Sequence, residues 1–196
     1  MTSNTEAQLQ GLRDRALRIR RGVWRALYAA GSGHVGGSCS AADVLAALYF
    51  HHLRVRPEQP DWPERDRFVL SKGHANAALA AVLAQAGFIE EDLLDRFYGY
   101  DSPLGMHPDI KVAGVEMSTG GLGHGLSVGI GMALGARLQG QDFRTCVMIG
   151  DGELQEGSNW EAAMAAAQMG LSNLTAIVDY NKIQQGDRVE KTVDLD

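Results

Sequence analysis

Asp151, in Gly150-Asp151-Gly152-Glu153, and Asn181, in Asn181-Lys182-Ile183, stand thirty residues apart, and each follows a short apolar run. A carboxylate and a carboxamide offer hard oxygen donors. Together with a backbone carbonyl from the turn after Asn181 they suit Mg²⁺, which keeps coordination positions free for phosphate oxygens. The ligand this implies is a diphosphate. With a formal net charge of −6 the chain has little bulk attraction for a polyanion, so a bridging metal and N–H groups at glycine-rich turns must hold it.

The histidines fall into two groups. His34, His74, His107 and His124 sit among glycines or beside proline, in loops where imidazole has little core to fill. Imidazole there can donate, accept or carry charge near neutral pH, which makes these positions site candidates. His51 and His52 follow Leu48-Tyr49-Phe50 at a helix end and read as bystanders. His-Glu-x-x-His is missing and Cys39 and Cys146 form no Cys-x-x-Cys pair, so catalytic zinc is not expected.

These residues need elements to bring them together. Thr145-Cys146-Val147-Met148-Ile149 and Leu174-Thr175-Ala176-Ile177-Val178 read as buried strands, and Trp160, Ala163, Met164 and Ala167 recur at helical spacing between about Gln155 and Met169. Strand, loop, helix and strand in that order make a crossover with parallel strands. Parallel strands deliver Asp151 and Asn181 to one edge of the sheet, where open α/β folds bind ligands. Asp66 to Leu70 reads as a third strand, followed by a helix from about His74 to Ala86 and a short helix near Glu90 to Phe97. Leu9, Leu12, Ala16, Ile19, Val23 and Leu27 mark a first helix, with Arg13, Arg15, Arg18, Arg20 and Arg21 mostly on its solvated side. Ser38 or Ser40 can cap a second helix running to about His51, and Gly121 to Leu138 reads as a further one. Its glycines at 125, 129, 131 and 135 suit close packing against a neighbour. The expected fold is α/β in three layers, a mostly parallel sheet flanked by helices, with residues 1–196 forming a single domain.

Gly31-Ser32-Gly33-His34-Val35-Gly36 spells Gly-x-Gly-x-x-Gly, the dinucleotide fingerprint, but a helix rather than a strand leads into it. A nicotinamide cofactor is not expected.

Five blocks together carry a resemblance: Ser32-Gly33-His34-Val35-Gly36-Gly37-Ser38, Ser71-Lys72-Gly73-His74-Ala75, Gly105-Met106-His107-Pro108-Asp109, Gly114 to Gly120, and Gly150 to Gly157. In order and spacing, from about residue 12 onward, they resemble the amino-terminal portion of transketolase, a thiamine diphosphate enzyme. Gly-His-Val-Gly-Gly is most similar to transketolases split into two polypeptides. The resemblance implies a diphosphate-binding domain that uses thiamine diphosphate and Mg²⁺. Asp151, Asn181 and the Ile183 carbonyl would hold the metal. Gly120, Gly121, Leu122, Gly123, Gly150, Gly152 and Glu153 would join them around the cofactor. His34 and His107 would touch hydroxyls of a donor sugar, and His74 would lie near the diphosphate and thiazolium. Glu156 resembles an acidic residue that the family places at the interface between subunits; alternatively it is a solvated first-turn glutamate. His124 replaces the glutamine usual in the family.

Against the family the sheet reads as incomplete at its C-terminal end, and the domain that binds the aminopyrimidine ring and supplies an activating glutamate is not encoded. A partner polypeptide carrying that domain is therefore implied, as a heterotetramer or dimer of dimers. The expected activity is transfer of a two-carbon ketol unit between sugars or sugar phosphates. Three other readings stay open: a noncatalytic scaffold, a related thiamine-dependent synthase or secondary-metabolic ketol transferase, and a piece of a longer enzyme. The composition, 45% hydrophobic with 24 glycines in 196 residues, suits a packed enzyme domain. A polar start, two separated cysteines and an acidic balance point to the cytoplasm and away from nucleic acid and membrane.

Overall fold

The computed structural model describes residues 3–194. Three parallel strands, β1 (Arg67–Leu70), β2 (Thr145–Gly150) and β3 (Leu174–Asp179), lie in the order β1-β2-β3. Register pairs Phe68 with Cys146 and Leu70 with Met148, and β-strand alternation turns these four to one face. That face packs against α1 (Ser3–Ala30), α3 (Ala42–Ala47) and α4 (Asn76–Ala86) through Ile19, Val23, Leu45 and Val82. The alternate set, Val69, Val147 and Ile149, faces the other way and meets Leu126 of α5 (Gly125–Leu138) and Ala162 of α6 (Gly157–Gln168). The three layers are therefore helices, sheet, helices, as the alternating strand residues require.

Several boundaries differ from the sequence reading. The second helix does not start at Ser38 or Ser40: α2 (Val35–Ser40) begins directly after His34, and a π-helical turn, Leu48–His52, completes the run beyond α3. Gly33, at φ 140°, swings the chain from α1 into this start, a backbone region that side chains other than glycine rarely enter. The expected helix from Gly121 starts only at Gly125. Gly123 at φ 84° interrupts helical geometry before it, and the Gly125 N–H is committed to Ser71 Oγ at 3.1 Å. Residues Glu91–Arg96 form a 3-10 run rather than an α-helix.

One burial expectation is corrected. β2 is buried throughout, and so is most of β1 at one edge of the sheet, but β3 at the other edge is half exposed, with Val178 41% exposed. On α6 the apolar stripe faces outward: Trp160 and Met164 are 56% and 67% exposed, while Asn159 and Ala162 are buried. Three side chains anchor the start of the helix in this rotation: Ser158 Oγ donates to the Gly123 carbonyl at 2.8 Å, Asn159 Nδ2 to that of Glu153 at 2.7 Å and Trp160 Nε1 to that of Leu154 at 2.7 Å. Among the arginines of α1, Arg15 stacks on Phe50 at 4.4 Å and Arg20 pairs with Asp43, so that side is not simply solvated. Gly125 and Gly129 of α5 do serve close approach, a Cβ on either colliding with Ser71 or Val147, whereas Gly131 and Gly135 face open space.

Candidate active site

Because the three strands are parallel, their carboxyl ends open on one side of the sheet, where a cleft of about 580 Å³ lies. Its floor is built where β2 ends. Asp151, 2% exposed, accepts the Gly152 N–H through Oδ1 at 2.8 Å and the Lys182 N–H through Oδ2 at 2.5 Å. Lys182 adopts φ 66°, which turns the chain after β3 back toward β2. The Asn181 Oδ1 accepts from the Ile183 N–H at 2.9 Å, closing the same turn. A hairpin, β4 (Ile183–Gln184) with β5 (Asp187–Arg188), then carries Gln184 over Gly152. Gln184 and Gln155 lock there through reciprocal amide bonds of 2.9 and 3.1 Å.

Glu153 organises the loops around this floor. Its buried carboxylate accepts from Ser71 Oγ at 2.5 Å, from the Gly123 N–H at 2.9 Å and from the Gly150 N–H at 3.0 Å. One side chain thus ties the ends of β1 and β2 to the glycine loop before α5. Thr119 Oγ1 donates to the Leu70 carbonyl at 2.7 Å and Asn76 Nδ2 to that of Gly105 at 2.7 Å, which fixes the loops bearing Gly120 and His107.

The histidines arrive from three segments. His34 precedes α2, His74 follows β1, and His107 comes from the irregular stretch between α4 and α5; all three line the cleft. The His34 and His74 rings meet edge to face with centroids 5.4 Å apart. His34 and His107 are exposed at the rim, while His74 is half buried. Burial, reinforced by the charge of Lys72 and by the neighbouring His34 and His107, lowers the His74 pKa from 6.5 to about 4. At neutral pH His74 is thus an uncharged ring with one donor and one acceptor nitrogen.

Of the residues singled out from sequence, His34, His74, His107, Gly120, Leu122, Gly150, Asp151, Gly152, Glu153, Asn181 and Ile183 line this one cleft. Gly121, Gly123, His124 and Glu156 do not line it. Glu156 is exposed at the start of α6, and its Cβ crowds Gly123, where an added methyl would come within 2.6 Å. His51 and His52 lie at the end of the π-helical turn, His51 Nδ1 near Gln8 Nε2 at 3.0 Å and His52 Nε2 near Arg144 Nη1 at 3.2 Å.

Sequence reasoning missed Lys72. It is fully buried, lines the cleft and places Nζ 2.5 Å from Asp179 Oδ2. A lone lysine in Phe68-Val69-Leu70-Ser71-Lys72-Gly73, directly after a buried strand, was the available signal. Gln184 and Gln185 were missed as well; nothing in a short polar turn distinguishes them before the hairpin is seen.

A family described as "Transketolase, thiamine diphosphate binding domain" matches residues 14–196. The chain is 44% identical over 189 residues to one of the subunits of apulose-4-phosphate transketolase from Phocaeicola vulgatus, covering 96% of this chain and 67% of that one. It is 48% identical over 155 residues to the 6-deoxy-6-sulfo-D-fructose transketolase subunit SqwG of a Clostridium species, with coverage of 79% and 56%. The crystal structure of transketolase from Campylobacter jejuni superposes with a TM-score of 0.89 at 34% identity, over 94% of this chain and 30% of that one. The chain thus spans about two thirds or less of these relatives. With a matching fold, a cleft where the strands end and a family match over nearly all its length, this chain belongs to the transketolase thiamine diphosphate binding domain family.

Proposed function

We propose that this chain is the amino-terminal, diphosphate-binding component of a transketolase-like enzyme that moves a two-carbon ketol unit from a ketose to an aldose. The observation that carries the reading is the convergence of Asp151 and Asn181 with His34, His74 and His107 in one cleft. Residues 1–196 would form one diphosphate-binding domain.

The donor set fits Mg²⁺. Asp151 Oδ2 and Asn181 Oδ1 each accept one backbone N–H, which leaves each oxygen a further lone pair, and both residues line the cleft. Asp151, Asn181 and the Ile183 carbonyl would hold the ion, while backbone at Gly120, Gly150 and Gly152 borders the space for a diphosphate. Bound thiamine diphosphate supplies an electron sink that stabilises a carbanion. The chain's own groups do the rest. His34 and His107 at the rim would hydrogen-bond sugar hydroxyls, and neutral His74 would donate or accept without bringing charge to the floor. Glu153 is the structural tie among these groups, its oxygens already occupied by three donors.

The names of the two relatives, each one polypeptide of a transketolase named for apulose 4-phosphate or for 6-deoxy-6-sulfo-D-fructose, support a two-polypeptide enzyme and a modified-sugar substrate. A partner would carry the pyrimidine-binding domain and its glutamate, and Glu156, outside the cleft at the start of α6, would lie toward that partner. The cytoplasm is the compartment this reading assigns.

The test is a label-transfer assay on the complex recovered with this chain. A ketose carrying ¹³C at its first two carbons should give a new ketose with both labels still adjacent. Loss of the labels as separate one-carbon units, or no transfer to any aldose phosphate, would contradict the reading.

A further inference from the structure

Beneath the cleft a chain of hydrogen bonds joins β1, α2 and β3. Lys72 donates from Nζ to Asp179 Oδ2 at 2.5 Å, and the Ser40 hydroxyl donates to the same oxygen at 2.6 Å. The Gly37 carbonyl, 3.2 Å from the same hydroxyl, is a second acceptor for its proton; whichever of the two takes it, Ser40 Oγ can only accept from Asn181 Nδ2, 3.3 Å away. At its other end the Asn181 amide meets the Ile183 N–H, which requires Oδ1 on that side.

From this directional network we infer that Ser40, Asp179 and Lys72 are positioning residues that set which way the Asn181 amide faces, and so present its oxygen rather than its N–H₂ to a cation in the cleft. Lys72 carries only donors, so Asp179 must accept from it, and the Asp179 carboxylate at 2.6 Å is a nearer acceptor for the Ser40 proton than the Gly37 carbonyl at 3.2 Å. Donation thus converges on Asp179 from both sides, from the buried Lys72 ammonium and from the Asn181 amide through Ser40. Burial favours this role, because Lys72 is 0% exposed and Asp179 has a side chain only 10% exposed, so water does not compete freely for the bonds. Outer partners of metal ligands act in this manner generally, orienting the ligand without touching the ion. The inference rests on the diphosphate and cation site proposed above, and extends it to three residues none of which is among the proposed ligands.

The experiment uses the full-length chain in the assembly recovered from its own cells, titrated with Mn²⁺ in the presence of thiamine diphosphate. Bound Mn²⁺ is read by electron paramagnetic resonance, and the fold by melting temperature. Ser40→Ala should weaken Mn²⁺ binding about 10-fold at unchanged melting temperature, and Ser40→Thr, which restores the hydroxyl, should recover most of it. Isosteric Asp179→Asn should shift affinity in the same direction. In an Asn181→Asp background there is no amide to orient, so Ser40→Ala should cause no further loss. Ser40→Ala or Asp179→Asn binding Mn²⁺ as tightly as wild type would overturn the inference, as would a full additional loss in the Asn181→Asp background. Failure of the wild-type assembly to retain Mn²⁺ with thiamine diphosphate would instead remove the site itself, and the inference with it.

Discussion

Asp151 and Lys182 join the ends of two neighbouring strands: the Asp151 Oδ2 accepts the Lys182 main-chain N–H at 2.5 Å. The bond fixes the turn after β3 against the turn after β2, so the carboxylate and the Asn181 amide share a cleft. Preorganisation of this kind lowers the ordering cost of binding.

Asp151→Ala removes the acceptor for both the Gly152 and the Lys182 N–H groups. Metal-dependent binding of thiamine diphosphate should fall at least ~100-fold, at a stability cost of roughly 1–3 kcal/mol, with the fold retained. Calorimetric titration and circular dichroism check the two parts separately. Unchanged affinity in a folded variant would contradict the assignment of this carboxylate.

Glu153→Ala should act through stability instead. Its 2%-exposed carboxylate satisfies Ser71, Gly123 and Gly150, and deletion leaves buried N–H groups without partners. Roughly 3 kcal/mol should be lost in denaturant unfolding. A midpoint equal to wild type would show that water replaces the carboxylate freely.

His74 makes stability depend on pH in a defined window. Burial lowers its pKa from 6.5 to about 4 in the folded chain, so between those values the unfolded chain binds more protons. Stability from this group is therefore complete above about 6.5 and declines as pH falls toward about 4. Discounted for its partial exposure, the loss is on the order of 1–2 kcal/mol. His74→Gln should flatten the melting temperature across this window; an unchanged slope would mean other groups carry it. A second decline at lower pH belongs to Asp66. Burial pushes that carboxyl up, but hydrogen bonds from Arg144 and Arg54 outweigh it and hold the pKa at about 2.

Two glycines of one helix should respond oppositely to alanine. At Gly129 a methyl group collides with Val147, so Gly129→Ala should destabilise by ~1–3 kcal/mol. Gly131 faces open space, and Gly131→Ala should stabilise by ~0.5–1 kcal/mol through helix propensity. Thermal unfolding of the two variants distinguishes them; equal shifts would contradict the packing described for α5.

Period and punctuation made the parallel core legible. Cys146 and Met148 pair with Phe68 and Leu70 in strands whose apolar runs announced them, and two short turns at the strand ends put Asp151 and Asn181 together. Burial was harder to read. Val178 lies in a run as apolar as that of β2 yet is 41% exposed, while Val69 at the opposite edge is buried, because the elements packed over a strand, not its local pattern, decide its burial. The spacing of Trp160 and Met164 located α6 but not its buried face, which hydrogen bonds from Ser158, Asn159 and Trp160 at its start turn to Asn159 and Ala162. Lys72 was hidden because its partner, Asp179, lies 107 residues away and only the strand order brings them together.

The proposed function requires that this cleft hold thiamine diphosphate through a metal and that a second polypeptide complete the enzyme. Native mass spectrometry of the complex recovered from its own cells through a tag on this chain tests all of it in one spectrum. The expected result is this chain together with a partner and an added mass equal to thiamine diphosphate plus Mg²⁺. Recovery of this chain alone, without that added mass even after both are supplied, would contradict it.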